Sequence, residues 1–371
     1  MKIVLTGAGG GHFYPLIAVA ERIEKEAFLQ KIMQPEFYFF SDNSYDEEAL
    51  FGIRAKFVEI PAGKLRLYPS LENITDILKT FYGCFLALIK LYSLYPDVVF
   101  AKGGYASFPT LLAARILSIP VIIHESDSVP GRTTLWASTF AARVALSYKE
   151  AFQYYKKEVT AVTGQPIRES LLPDENFSRE YSLKERSERP VILVLGGSQG
   201  SQKINDVVVS VLPSLLNQYD IIHQTGENNI EAIKEKTKTI LHDHPYKEHY
   251  YPLGFLDLSV FYPKIDFVVT RAGSSMFEMI EWQLPFVVIP IPESISRDQR
   301  SNAYAMASHG VASVIEEDNL GPNILTNSIA LILENKDEYM KYVIKSREFP
   351  SSRNASKIIA SEIIRIALSH S

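Results

Sequence analysis

The stretch Thr270-Arg271-Ala272-Gly273-Ser274-Ser275-Met276-Phe277-Glu278, continued as MIEWQLPFVVIPIPESISRDQRSN over residues 279–302, decides how the chain folds. It follows an apolar run, Phe267-Val268-Val269, that reads as a buried strand. The small residues from Arg271 to Ser275 let backbone N–H groups approach a ligand and open a helix. That helix carries Glu278 in its first or second turn and is stopped by Leu284-Pro285. Residues 286–290 read as the next strand, running into a polar loop that holds Asp298, Gln299 and Asn302. A helix N-terminus suits an anion, and a carboxylate with two amides suits hydroxyls or the edge of a base. A nucleotide sugar calls for that combination. An ordinary βαβ unit with a polar rim carries the same residues.

The same layout recurs twice upstream. Residues 3–6 read as a strand that runs into Gly7-Ala8-Gly9-Gly10-Gly11-His12, with a helix from about Tyr14-Pro15, where proline is tolerated. Residues 191–195 read as a strand followed by Gly196-Gly197-Ser198-Gln199-Gly200-Ser201 and a helix that carries Asn205. Neither turn gives the dinucleotide pattern G-x-G-x-x-G, because His12 stands three residues after Gly9, and no Walker lysine follows. Two similar α/β halves emerge, each with a glycine turn after its first strand. His12 stands where a helix starts, so the helix dipole favours a neutral imidazole, which suits a general base. A capping or packing histidine fits the same position.

At 371 residues the chain suits two domains, and its single cysteine, Cys84, excludes an internal disulfide and a cysteine-based metal site. A net charge of −5 argues against broad nucleic-acid binding. Met1-Lys2 leads directly into a strand, which leaves no room for a cleaved leader, and no uninterrupted apolar run reaches bilayer length, since Lys90 and Arg115 break the nearest candidates. These features point to a cytoplasmic protein.

Further strands are expected over residues 36–40, 57–60, 97–101, 120–123, 143–147, 221–224 and 312–315. The basic loop Ala62-Gly63-Lys64-Leu65-Arg66 reads as a solvated loop or a phosphate clamp. Residues 71–95 are helical, with Ile74, Leu78, Phe81 and Phe85 at helical spacing and Lys79 and Lys90 inside. Such a stripe is core or lies on an anionic membrane. Lys102-Gly103-Gly104-Tyr105 and His124-Glu125-Ser126-Asp127 follow presumed parallel strands, at the edge where open α/β sheets bind ligands. No second histidine stands four residues after His124, and no Asp-x-Asp pair occurs, which favours chemistry without a metal.

Taken together, these motifs resemble those of the MurG family, the UDP-N-acetylglucosamine transferases of peptidoglycan synthesis. TGAGGGHFYP is similar to the family's GGTGGHxxP; AGKLR, KGGYASFP, HESDSVPG, TGQPIR and GGSQGSQKIN have counterparts in the same order. HQTG, the Phe255-Leu256-Asp257 loop, RAG with its downstream glutamate and proline, and Asp298-Gln299 with Asn302 complete the series. Each is weak alone; collinear over nearly the whole chain, they are specific.

The resemblance implies a GT-B fold of two Rossmann-like domains facing each other across a cleft. Residues 1–163 would bind the acceptor and the membrane, 164–352 would bind UDP-GlcNAc, and a helix over about 353–371 would return to the first domain. It implies an inverting transfer of GlcNAc to the C4 hydroxyl of MurNAc in undecaprenyl-diphosphate-linked lipid I, giving lipid II, with no metal and no cofactor. By motif match, His12 would be the base. Arg168 and Ser198 would meet the diphosphate, Leu256 the uracil, Ser274, Ser275, Met276 and Phe277 the phosphate through their amides, Glu278 the ribose and Gln299 the GlcNAc hydroxyls. Ala8, Gly9, Gly10 and Asp127 would reach the sugar from the other side. Lys64, Arg66, Gly104, Tyr105 and Glu125 would serve the acceptor. Lipid I, anionic phospholipid and other cell-wall synthesis proteins would be partners, at the cytoplasmic face of the plasma membrane.

The segment from Gly273 to Glu278 is one residue shorter than the family's GAxTxxE, and Thr134 stands where the family has asparagine. Another GT-B enzyme acting on a UDP-sugar, including a UDP-GlcNAc 2-epimerase, and a catalytically silent UDP-sugar-binding relative are the alternatives. The HESDSVPG and KGGYASFP segments argue against the epimerase.

Overall fold

The computed structural model describes residues 1–64, 72–179, 189–197, 200–293 and 297–370. The chain forms two units, Met1–Glu169 with Ser352–Ser371, and Ser170–Ser351. The crossover Gly164 to Arg168 therefore clusters with the first unit. Local bonds explain this: Gln165 N donates to Ser352 Oγ at 3.0 Å, and Ser147 Oγ donates to Gln165 Oε1 at 2.7 Å.

In the first unit the elements run β1 (Lys2–Thr6), α1 (Tyr14–Leu29), β2 (Glu36–Ser41), α2 (Glu47–Gly52), β3 (Lys56–Glu59), α3 (Glu72–Leu94), β4 (Val98–Ala101), α4 (Phe108–Ile116), β5 (Val121–Glu125), α5 (Arg132–Ala137), β6 (Arg143–Leu146) and β7 (Thr160–Val162). The seven strands pair in parallel in the order β3-β2-β1-β4-β5-β6-β7. β4 and β5 are buried on both faces, as sandwiched parallel strands require.

The second unit holds β8 (Val191–Leu195), α6 (Gln202–Leu215), β9 (Asp220–Gln224), α7 (Ile230–Ile240), β10 (Tyr250–Leu253), α8 (Leu258–Phe261), β11 (Phe267–Thr270), α9 (Ser275–Glu281), β12 (Phe286–Val288), α10 (Arg297–Ser308), β13 (Ser313–Val314), α11 (Pro322–Leu333) and α12 (Lys336–Glu348). Its parallel order is β10-β9-β8-β11-β12-β13. The last helix, α13 (Ala355–His370), packs on α1 and buries Ile359, Ile363 and Ile364 in the core of the first unit.

Each sheet is doubly wound. Strand order reverses between β1 and β4 in one and between β8 and β11 in the other. Ligands of open α/β sheets bind at such switch points, beyond the carboxyl ends of the strands. Both glycine turns and the Arg271-Ala272-Gly273 turn stand there.

Three expectations need correction. Asp298, Gln299 and Asn302 lie on α10 rather than in a loop, because Arg297 to Ser308 is rich in good helix formers with no Gly or Pro. No strand was expected over residues 250–253, yet β10 forms there with Pro252 inside it, as an edge strand where proline is tolerated. The third concerns α3: its window Ile74–Leu94 is long and apolar enough to cross a membrane by length and composition, with a mean hydropathy of 1.4. Only one face of α3 is covered. Ala87 and Leu91 enter the core, whereas Ile74, Leu78, Phe81 and Phe85 are 61%, 66%, 78% and 63% exposed. The stripe read from the sequence is therefore an exposed apolar face.

Candidate active site

The first switch point is built by close approach of backbone. Gly103 and Gly104 have φ of +81° and +80°, a region that favours glycine. A Cβ on Gly104 would stand 2.7 Å from Ala8 Cβ, and one on Gly103 would stand 2.5 Å from Thr134 Cγ2. The turns after β1 and β4 thus touch, with α5 behind them.

His12 ends a short 3-10 turn, half-buried, and its Nδ1 lies 3.0 Å from Lys102 O. A carbonyl only accepts, so Nδ1 carries the hydrogen and Nε2 keeps its lone pair. Burial lowers its pKa from the ordinary histidine range, and the Lys102 ammonium lowers it further; Glu125 and the carbonyl bond act the other way. α1 begins at Tyr14 with Phe13 as its N-cap, so His12 stands just ahead of that helix.

Glu125 is 2% exposed. One carboxylate oxygen accepts Asp127 N at 3.0 Å; the other accepts Gly131 N at 3.0 Å, the Thr134 hydroxyl and Tyr155 OH at 3.3 Å. Its carboxylate therefore shapes the HESDSVPG loop from inside. Thr134 supplies a hydroxyl to that carboxylate. Asp127 is half-buried on the same loop. Tyr105 OH donates to Asp42 Oδ2 at 2.6 Å, and Tyr45 OH donates to Asp42 Oδ1 at 2.6 Å. Tyr45 covers Gly9, where a Cβ would meet its ring at 2.4 Å. Of this group only Tyr105 was singled out in the sequence; Asp42, directly after β2, and Tyr45 were missed. Gly10 lies in the turn before His12, and Lys64 is exposed.

Arg168, expected with the donor half, belongs to the first unit, where its Nε lies 3.3 Å from Glu21 Oε1 of α1. Arg66 and Ser198 lie outside the described residues.

The second switch point is made of backbone and small side chains. Gly197 and Gly200 have φ of +90° and +77°, and Ser201 caps α6. Arg271 ties this turn to its neighbours: Nη2 donates to Ser201 Oγ at 2.5 Å and to Glu317, and Nη1 donates to Ile289 O at 3.0 Å. The amides of Met276 and Phe277 are used by Gly273 O and Ser274 O, at 3.3 and 3.2 Å, and both side chains are buried. Those of Ser274 and Ser275 have no backbone acceptor among the described residues. Glu278 stands in the first turn of α9 and accepts Tyr262 OH at 2.7 Å. Gln299 Oε1 accepts Ile291 N at 3.3 Å, and Leu256 is buried.

Both halves match a described family. The N-terminal domain of glycosyltransferase family 28 matches residues 3–146, and its C-terminal domain matches residues 191–358. A Bacillus cereus protein named UDP-N-acetylglucosamine–N-acetylmuramyl-(pentapeptide) pyrophosphoryl-undecaprenol N-acetylglucosamine transferase 2 is 33% identical over 91% of this chain and 93% of its own. The chain belongs to the MurG family. It is a glycosyltransferase. The crystal structure of Acinetobacter baumannii MurG is similar at a TM-score of 0.73, with 24% identity, over 98% of this chain and 99% of that one. The GT-B fold is shared more widely: a UDP-GlcNAc 2-epimerase from Neisseria meningitidis, bound to UDP-GlcNAc, has a TM-score of 0.65 at 13% identity, covering 98% and 100%. In this chain the TGAGGGHFYP and RAG segments occupy the two switch points just described.

Proposed function

We propose that this enzyme transfers GlcNAc from UDP-GlcNAc to the C4 hydroxyl of MurNAc in lipid I, giving lipid II, with inversion and without a metal. The observation that carries the reading is the tautomer of His12. With Nδ1–H bonded to Lys102 O, Nε2 is free to take the proton of an incoming hydroxyl while that oxygen attacks the anomeric carbon. The bond to UDP breaks as the new bond forms, and one base suffices for one displacement. In the second unit, the Ser274 and Ser275 amides serve the departing diphosphate, Glu278 the ribose, Leu256 the uracil and Gln299 the sugar hydroxyls. Arg168 and Ser198 join the diphosphate; Ala8, Gly9, Gly10 and Asp127 serve the sugar. Lys64, Arg66, Gly104 and Tyr105 serve the acceptor.

The enzyme works at the cytoplasmic face of the plasma membrane, docked through α3. The exposed Ile74, Leu78, Phe81 and Phe85 enter the acyl boundary, and the exposed Lys79 and Lys90 meet anionic head groups. Because its other face is packed in the first unit, α3 lies along the membrane rather than through it. The loop that carries Lys64 is clamped to this helix. Gly63 N donates to Thr80 Oγ1 at 2.9 Å, and a Cβ on Gly83 would fall 1.8 Å from Pro61 O.

The test is transfer of labelled GlcNAc to a lipid I analogue with EDTA present and UDP-GalNAc as control donor. Selective, EDTA-resistant transfer is expected. Donor binding without transfer would overturn the acceptor assignment.

A further inference from the structure

Lys102 is the first residue beyond β4, and its side chain is 0% exposed. Nζ lies 2.5 Å from His124 Nδ1 and donates to Ser126 Oγ. His124 Nε2 lies 3.0 Å from Gly164 O, so that nitrogen carries the hydrogen and Nδ1 offers its lone pair to the ammonium. Both partners of the ammonium are neutral groups. The carboxylates of Glu125 and Asp127 act on it through space, and that of Glu125 is taken up inside its own loop. A structural ion pair would have placed a carboxylate against the cation. A buried cation seated on an imidazole and a hydroxyl is a different arrangement, and it is joined to the site because the carbonyl of the same residue holds His12.

We propose that Lys102 sets the base: its carbonyl fixes His12 in the Nδ1–H form, and its buried ammonium, seated on His124 and Ser126, keeps a positive charge by the ring that holds Nε2 free of a proton. Lys102 is thus a positioning residue for His12, and the inference rests on reading His12 as the base. The groups that face this pair are His124, Glu125 and Asp127 from the end of β5 and its loop, with Tyr148, beyond β6, facing Asp127. Desolvation lowers the Lys102 pKa to about 7, and the two carboxylates oppose that. Below that pH the ammonium is charged, where an unprotected His12 would begin to take up a proton.

The experiment follows the His12 ring by NMR in histidine-labelled protein, with the signal assigned by His12→Gln, in the wild type and in Lys102→Met. Removal of a nearby like charge should raise the His12 midpoint by about 1 pH unit or more. The acid limb of kcat/KM for transfer should move upward by the same amount. Lys102→Arg, which keeps the charge, should restore the limb towards its original position. An unmoved His12 midpoint in folded Lys102→Met, with UDP-GlcNAc affinity unchanged, overturns the inference. A moved midpoint with an unmoved acid limb supports the role of Lys102 and overturns His12 as the base. If Lys102→Met fails to fold, Ser126→Ala removes one partner of the ammonium. A smaller upward shift of the His12 midpoint is then expected, and no shift overturns the inference.

Discussion

The two switch points share a topology and differ in material. At the carboxyl ends of β1, β4 and β5 stand titratable side chains: His12, half-buried, and Lys102, His124 and Glu125, buried. Beyond β8 and β11 stand glycines, serines and backbone amides, gathered by one arginine. Moving a proton needs a group whose pKa has been tuned by burial and neighbouring charge. Holding a diphosphate needs fixed partial charges at close approach, which a backbone supplies without titrating. On the reading proposed above, the same winding of strands supports chemistry in one unit and grip in the other. Substitutions should separate the two.

The largest effect is expected at His12. His12→Ala should lower turnover by about 10²–10⁴ while UDP-GlcNAc affinity, read by calorimetry, stays the same. Parallel losses in both would erase the distinction between the units. Next comes Gly104→Val, which forces a β-branched residue to φ +80° and drives its Cβ towards Ala8. A stability loss on the order of 1–3 kcal/mol should appear in thermal unfolding. Gly273→Ala is the control in the other unit: its Cβ would meet nothing within 4 Å, and stability should stay within about 0.5 kcal/mol. Equal losses at the two glycines would show that close packing is not special to the first site.

Glu278→Gln keeps an acceptor for Tyr262 and removes the charge. The donor dissociation constant should rise about tenfold, the scale of a charged hydrogen bond, with single-turnover chemistry nearly unchanged. An unaltered dissociation constant removes Glu278 from the ribose. The smallest effect on stability is expected at Phe81→Glu, where the side chain is 78% exposed. The melting temperature should hold while sedimentation with anionic vesicles is lost. Persistent vesicle binding would place the docking face elsewhere.

Much of this was legible in the sequence. Glycine turns after apolar runs located both switch points, and the order of motifs identified the family. Periodicity could not tell which side of α3 is covered, because a core stripe and a membrane stripe share the same spacing. The polar loop after β12 was misread because its residues become a helix only once Arg297 starts α10. The Asp42–Tyr105 bond joins residues far apart in the chain, and no local pattern announces it. Arg168 ends TGQPIR, yet its carboxylate partner is Glu21, on a helix far earlier in the chain. The exchange of asparagine for Thr134 became intelligible only with Glu125 in view.

The account turns on His12 acting as a base whose pKa is lowered by burial and by Lys102. The direct test is the pH dependence of kcat/KM for GlcNAc transfer, measured in parallel on the wild type and His12→Ala. The wild type should lose activity only as pH falls through a midpoint below the ordinary histidine value of about 6.5, and that limb should be absent from the residual activity of the variant. An acid limb that persists unchanged in His12→Ala would show that another group takes the proton.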